Sequence, residues 1–188
     1  MDEFTHELKI NKDRVAVLIG KEGSIKKEIE ESTKTQIKVD SKEGDVFIKG
    51  ADGLGIYTAT NIVRAISRGF NPEIAMQLLK PDFIFEVLDL TDYAGKSKSN
   101  LERIKGRIIG KDGKTRRILE QLTETSVSVY GKTAAVIGDT TYAYSCRSAI
   151  DSIARGSSHS TVYKWLEKKR TEMKRAAILG TDDFSQQF

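Results

Sequence analysis

Apolar and polar residues alternate along Phe4-Thr5-His6-Glu7-Leu8-Lys9-Ile10, the period-two pattern of a half-buried strand. Asn11 or Asp13 can cap a short helix over 14–19, whose apolar run ends at Gly20. Gly20-Lys21-Glu22-Gly23 then makes a tight turn. Ser24 opens a second helix over about 25–32, with Ile25 and Ile29 four apart on one face. Residues 36–39 and 46–48 read as two strands joined by a polar loop at 41–45. Gly53 and Gly55 are expected to precede a long helix over 56–68, closed by Gly69.

The pattern returns 90 positions later. Leu18-Ile19-Gly20-Lys21-Glu22-Gly23 overlays Ile108-Ile109-Gly110-Lys111-Asp112-Gly113, and Ile29, Thr33, Thr35, Ile37 and Val39 overlay Leu119, Thr123, Thr125, Val127 and Val129. The offset falls to 88 at Gly50 and Gly138 and to 87 at Gly69 and Gly156. Drift confined to loops is the mark of a structural repeat. Residues 83–90 supply the second copy's opening strand and 98–109 its first helix.

Between the copies, Pro72 suits the first turn of a short helix and Pro81 ends it, so two closely joined domains are expected. Their bounds are 1–80, with this helix, and 81–180, with a C-terminal helix that Ser157-Ser158 can cap. Val162, Trp165, Leu166 and Met173 form one face of that helix; Lys164, Lys168, Arg170, Lys174 and Arg175 form the other. Residues 181–188 are expected to be a flexible tail. The fold class is α+β, with each unit ordered β-α-α-β-β-α around a three-stranded sheet.

Composition narrows the chemistry. Of 188 residues, 31% are charged and 38% hydrophobic, a soluble globular balance, and 31 Lys and Arg face 27 Asp and Glu. The lone Cys146 excludes an intramolecular disulfide and is expected to be a small core residue. With only two histidines, His6 and His159, far apart, and no Gly-x-x-x-x-Gly-Lys-Ser/Thr loop, no catalytic, metal or cofactor site is expected. No run approaches the ~20 apolar residues of a membrane span, and the acidic start Met1-Asp2-Glu3-Phe4 is unlike a signal peptide. A cytoplasmic location is expected.

The turns are the candidate phosphate sites. Glycine allows backbone angles and close approach that a β-carbon forbids, and the helix that follows offers free N–H groups and the positive end of its dipole. Residues 96–117 hold nine basic and two acidic residues, a net of +7, whereas the aligned 6–27 hold six and three, a net of +3. Because phosphate contacts dominate non-specific affinity, the second copy is the expected principal nucleic-acid site. Gly110, Lys111, Asp112, Gly113, Lys114, Arg116, Arg117, Arg107 and Ile109 are its candidates; Gly20, Lys21, Glu22, Gly23, Lys26 and Lys27 are the first copy's. His159, Tyr163 and Lys164 are further candidates, weighed against capping or packing roles for His159 and Tyr163.

The element order and the doubled Gly-x-x-Gly resemble the type I KH domain over about 3–70 and 82–156. That resemblance implies a single-stranded nucleic-acid binder whose turn clamps the backbone of about four nucleotides, with bases in an apolar groove beside the second helix and adjoining strand. Lys26 and Arg116 stand where many KH domains have an apolar residue. With the stretch 155–170, they make the chain similar to the Pno/Dim-type KH proteins of small ribosomal subunit maturation. This resemblance implies RNA binding near the 3′ end of small-subunit rRNA, beside the endonuclease that trims it, and association with the alpha subunit of translation initiation factor two. Two alternatives remain open at this point: a protein–protein adaptor in ribosome maturation or translation initiation, or another tandem-KH RNA regulator.

Overall fold

The computed structural model describes residues 4–179; the expected flexible tail at 181–188 lies outside them. The first unit runs β1 (Phe4–Lys9), α1 (Lys12–Ile19), α2 (Ser24–Thr33), β2 (Gln36–Val39), β3 (Asp45–Gly50) and α3 (Gly53–Ser67). A junction follows, with α4 (Pro72–Ala75) and a 3-10 turn, Met76–Leu79. The second unit runs β4 (Phe83–Asp89), α5 (Thr91–Ala94), α6 (Lys98–Ile109), α7 (Lys114–Thr123), β5 (Ser126–Tyr130), β6 (Thr133–Asp139) and α8 (Thr140–Ala154), and α9 (His159–Leu179) ends the described chain. The first unit has the β-α-α-β-β-α order expected of a type I KH domain, and the second has it with the short α5 inserted after its first strand. The sheets are antiparallel, ordered β1-β3-β2 and β4-β6-β5.

Several details differ from the sequence expectation. Helix α1 begins at Lys12 rather than 14, with Asp13 inside its first turn and Asn11 at the N-cap position making no side-chain capping bond. Helix α3 begins at Gly53 rather than near 56, because the Asp52 carboxylate accepts the Leu54 and Gly55 N–H groups and so caps the helix. Gly55 therefore lies inside it, at a position that needs glycine because a β-carbon would fall 2.4 Å from the Thr33 carbonyl oxygen. The junction helix gives way to a 3-10 turn after Ala75, and the short α5 was not foreseen.

The repeat extends to atomic detail. Thr33 Oγ1 donates to the Ile29 carbonyl and meets Thr35 Oγ1 at 2.8 Å; Thr123, Leu119 and Thr125 make the same pair of bonds. Lys34 and Glu124 both close their helices in the left-handed region. The sheets nonetheless meet different surroundings. In β3, Val46 and Ile48 are buried while Phe47 and Lys49 face outward. In β6 every residue from Thr133 to Gly138 is buried, so the strand carries the continuous apolar run 134–137 rather than an alternation. Ala134 and Val136 enter the second unit's core, and Ala135 and Ile137 join the first unit's core with Phe70, Ala75 and Leu78. Burying a side chain such as Phe70 contributes about 1.5–3 kcal/mol, so this shared layer holds the units together.

Polar contacts lock the same seam. Arg14 donates from Nε to the Ile66 carbonyl at 2.8 Å and from Nη2 to the Phe70 carbonyl at 2.6 Å. Its guanidinium also lies 6.0 Å from the Tyr130 ring centroid. Ser128 Oγ donates to the Arg68 carbonyl at 2.8 Å, and the Phe70 and Phe85 rings meet edge-on at 6.3 Å.

Candidate nucleic-acid interface

The two turns have nearly the same backbone. Gly110, Asp112 and Gly113 have φ of 74°, 52° and 74°; Gly20, Glu22 and Gly23 have 71°, 54° and 79°. The glycines at either end serve different purposes. A β-carbon on Gly110 would lie 2.7 Å from the Thr115 backbone nitrogen, and one on Gly20 would lie 2.9 Å from that of Ile25. A β-carbon on Gly23 or Gly113 would meet nothing within 4 Å. The first glycine is required by internal packing, and the second leaves a bare, open surface where another backbone can lie. Glu22 and Asp112 hold a left-handed conformation that costs a residue with a β-carbon about 1–2 kcal/mol. Gly23 and Gly113 give α2 and α7 no side-chain cap, so the first N–H groups of each helix are available at the turn.

The basic side chains divide into free and committed groups. Lys111 and Lys114 are exposed and have no polar partner among the described residues; in the first unit the same holds of Lys21, the counterpart of Lys111, and of Lys27, the counterpart of Arg117. Arg116 Nε lies 4.0 Å from Glu120 Oε2, and Arg117 Nη2 donates to the Asp112 carbonyl, bracing the turn at 3.0 Å. Lys26 is not free: its Nζ meets Glu30 Oε1 at 3.2 Å and the Ile37 carbonyl at 3.1 Å. Glu30 also accepts the Ile37 N–H, which removes it from the acidic surface of α2. Ile109, like Ile19, is half-buried beside its turn, whereas Leu119 and Val127 are core residues.

Arg107 is placed in a structural contact. It donates from Nε to the Ile153 carbonyl at 3.3 Å and from Nη2 to the Ser157 carbonyl at 2.5 Å. Those carbonyls are the counterparts, at an offset of 87, of the two that Arg14 holds. In each unit an arginine on the first helix thus ties down the end of the third. Sequence comparison missed the pair because Arg14 overlays Ile104 and Arg107 overlays Val17, so the two arginines sit about one helical turn apart in the alignment. Each window commits one guanidinium to this role; the carbonyls are neutral, so the charges, and the difference of four between +7 and +3, are unchanged.

Helix α9 packs through Val162 and Leu166, which are buried in the second core. Ser158 Oγ accepts the Thr161 N–H and caps the helix, as expected. The His159 ring donates from Nε2 to the Arg107 carbonyl at 2.9 Å, closing one of the free carbonyls at the end of α6, one turn before Gly110. His159 therefore supports the turn from behind. Tyr163 is half-buried with its ring centroid 6.1 Å from that of His159, and Lys164 is exposed. Arg170 leaves the basic face of α9 for Glu124 Oε1 at 3.3 Å. Cys146 is fully buried, and burial pushes its thiol pKa up, away from reactivity. Among the described residues no group of three or more His, Cys, Asp or Glu could hold a metal ion, and no helix is long and apolar enough to cross a membrane.

Comparison with known proteins follows the same division. Residues 84–171 match a family model for the second KH domain of PNO1, described as a eukaryotic-type (type I) KH domain, and residues 5–65 match the general KH-domain model. The KH domain-containing protein MJ0443 of Methanocaldococcus jannaschii is 46% identical over 179 residues, covering 93% of this chain and 78% of that one. The pre-rRNA-processing protein PNO1 of Yarrowia lipolytica is 28% identical over 77% of this chain, which spans 58% of its length. The crystal structure of an a/eIF2alpha–aDim2p–rRNA complex from Pyrococcus horikoshii matches with a TM-score of 0.84 and 45% identity, over 90% of this chain and 96% of that one. With residues 84–171 matched by the PNO1 family model and 93% of its length matched by a relative 46% identical to it, the chain belongs to the PNO1/Dim2 family of tandem KH-domain proteins.

Proposed function

We propose that this chain is a non-catalytic RNA-binding factor of small ribosomal subunit assembly, acting in the cytoplasm on single-stranded RNA near the 3′ end of small-subunit rRNA. The observation that carries the reading is the surface at Gly113, where open space, an uncapped α7 N-terminus and the free Lys111 and Lys114 converge. These are the features that hold a sugar-phosphate backbone. The names of the relatives supply the substrate, since one is a pre-rRNA-processing protein and another lies in a complex with rRNA. Unit 81–180 provides the principal clamp, through Gly110, Lys111, Asp112, Gly113, Lys114 and Arg116, with Ile109 facing the bases and Lys164 at the flank. Unit 1–80 provides an auxiliary site through Gly20, Lys21, Glu22, Gly23 and Lys27. The protein partners proposed are the endonuclease that trims the rRNA 3′ end and the alpha subunit of translation initiation factor two. Association that survives ribonuclease treatment would mark either contact as direct.

The test is equilibrium binding to an oligoribonucleotide from the 3′ end of small-subunit rRNA over a range of salt. Affinity should fall steeply with salt. Replacing both Lys111 and Lys114 by Ala should shallow the log–log slope by about 1.4, at about 0.7 for each single-strand phosphate that is no longer neutralised. An unchanged slope would remove these lysines from the interface.

A further inference from the structure

We propose that the pocket between β1 and α3 holds a backbone phosphate of the bound RNA, through Arg64, Arg68, Ser67, His6 and Lys9. The proposal rests on the RNA-binding function above and adds an anion site elsewhere on the first unit. The pocket shares no residue with either Gly-x-x-Gly turn or with the helix that follows it.

The repeat shows how unusual the charge is. The pocket is lined by His6, Leu8, Lys9 and Ile10 on the strand side and by Arg64, Ser67 and Arg68 at the end of α3. Phe4 pairs with Gly50 as Ile84 pairs with Gly138, so the strand residues correspond to Glu86, Leu88, Asp89 and Leu90. At the offset of 87, the helix residues correspond to Asp151, Ala154 and Arg155. The lining thus has three basic residues and no acidic one in the first unit, a net of +3 with histidine neutral. The second unit has one basic and three acidic residues there, a net of −2. Its carboxylates are all engaged: Glu86 by Arg147 at 3.1 Å, Asp151 by Arg155 at 2.8 Å and Asp89 by the Thr91 N–H at 2.9 Å. The first unit has the cations without the carboxylates.

Its donors are correspondingly free. Arg64 and Arg68 stand four apart on one face of a helix, where like charges repel. Neither guanidinium has a hydrogen bond or ion pair among the described residues. Arginines near a helix C-terminus often bond its last carbonyls, but here those groups are already taken. Arg14 holds the Ile66 and Phe70 carbonyls, and Ser128 Oγ holds that of Arg68. The Arg64 guanidinium lies 5.8 Å from the Phe85 ring centroid, a contact that orients its plane and leaves its N–H edge open. Ser67 is buried, and its Oγ accepts the Asn11 N–H at 3.4 Å, which leaves its own proton for a ligand. Lys9 meets Asp45 at 3.3 Å in an exposed pair, a kind that contributes little. The Asp89 carboxyl across the seam is held below its usual range first by its bonds to Thr91 and less by Arg68, so Arg68 remains available.

Size and direction point to phosphate. The cavity is about 210 Å³, below the roughly 300 Å³ at which small-molecule pockets begin, and admits one anionic group rather than a base. Two guanidiniums and a hydroxyl approach from the helix, and an imidazole and an ammonium from the strand. One guanidinium fork satisfies a planar carboxylate, whereas a tetrahedral phosphodiester offers oxygens to donors on both sides. RNA held at a turn would supply such a group at high effective concentration.

The experiment measures binding of the full-length chain to the small-subunit rRNA 3′-end oligoribonucleotide over a range of salt. The same RNA is then shortened stepwise to the roughly four nucleotides that one turn clamps. The wild type is compared with Arg64→Gln/Arg68→Gln and, because Arg64 touches Phe85 across the seam, with His6→Glu. That second variant places at an exposed position the carboxylate that Glu86 supplies in the other unit, and it should unfold at the wild-type temperature. With the longest RNA, the double variant should weaken binding several-fold and shallow the log–log slope by about 0.7, the value for one single-strand phosphate. His6→Glu should weaken binding by a similar factor. Neither variant should alter binding of the shortest RNA, whereas Gly113→Asp should weaken binding at every length. Unaltered affinity and slope for the longest RNA in both variants, or equal losses at every length, would overturn the phosphate site and leave the clamps intact. Unaltered RNA binding with loss of a ribonuclease-resistant association with the alpha subunit of translation initiation factor two would overturn it in favour of a protein interface. Failure of the wild type to bind any of the RNAs would overturn the RNA-binding reading itself, and this site with it.

Discussion

Gly106, Gly110 and Gly113 are identical letters within eight residues of chain, and their substitution by alanine should give three different results. Gly110 combines a glycine-only conformation (φ 74°, ψ 173°) with a β-carbon position 2.7 Å from backbone, so alanine there should cost about 3 kcal/mol or more. Gly113 has the strained φ but open space, and alanine should cost about 1–2 kcal/mol. Gly106 lies inside α6 with nothing within 4 Å of its β-carbon position, and alanine there should gain about 1 kcal/mol. Denaturant unfolding of the three variants checks the order, and equal losses at Gly110 and Gly113 would contradict the separate roles. The sequence showed that both turn glycines matter because the motif is doubled. It could not separate packing from exposure, since that distinction depends on where Thr115 lies. Lys26 and Arg107 show the same limit: each is a cation near the turn in sequence, and in the fold one is engaged at Ile37 and the other ties two carbonyls.

At the scale of elements, hydrophobic periodicity located every strand and all but one of the helices, because most of them bury a single face. Exceptions arose where a neighbour set the terms. Helix α3 starts early owing to Asp52, and β6 is buried on both faces owing to the first unit. The unforeseen α5 is anchored by Tyr93, whose hydroxyl donates to Asp151 Oδ1 at 2.5 Å while Arg155 Nε donates to Oδ2 at 2.8 Å. Chiefly through the Arg155 hydrogen bond, Asp151 is held below the usual carboxylate range; the Tyr93 phenol is pushed up, first by burial and then by Asp151. Folded Asp151 therefore ionises more readily than unfolded, so its contribution is present above the ordinary carboxylate pKa and is lost as pH falls through the lower folded value. Tyr93 has the opposite sign: its contribution is full below the ordinary pKa of 10.0 and is lost as pH rises through the raised folded value. The stability difference between the wild type and Tyr93→Phe should accordingly be level from neutral pH to about 10 and shrink above it. Thermal unfolding against pH measures this, and a difference that does not change with pH would contradict it.

For the whole molecule, the repeat and its uneven charge were legible in the sequence, and the arginine contacts leave the difference of four intact. The seam was foreseen only as a close junction. Its composition was hidden because Arg14, Ser128 and Phe70 meet across 56 residues or more of chain, and no local pattern reports such a meeting. The outcome is one packed body with two similar turns, of which the second has the higher local positive charge. The most direct measurement is the affinity of Gly113→Asp and Gly23→Asp, each against the wild type, for single-stranded RNA from the 3′ end of small-subunit rRNA at one fixed salt concentration. Both substitutions place an acidic side chain in open space at equivalent backbone angles, so their folding costs should match and each serves as the other's control. On the proposal that the second unit is the principal clamp, Gly113→Asp should weaken binding at least tenfold and Gly23→Asp only a few-fold; equal losses, or a larger loss at Gly23, would contradict it.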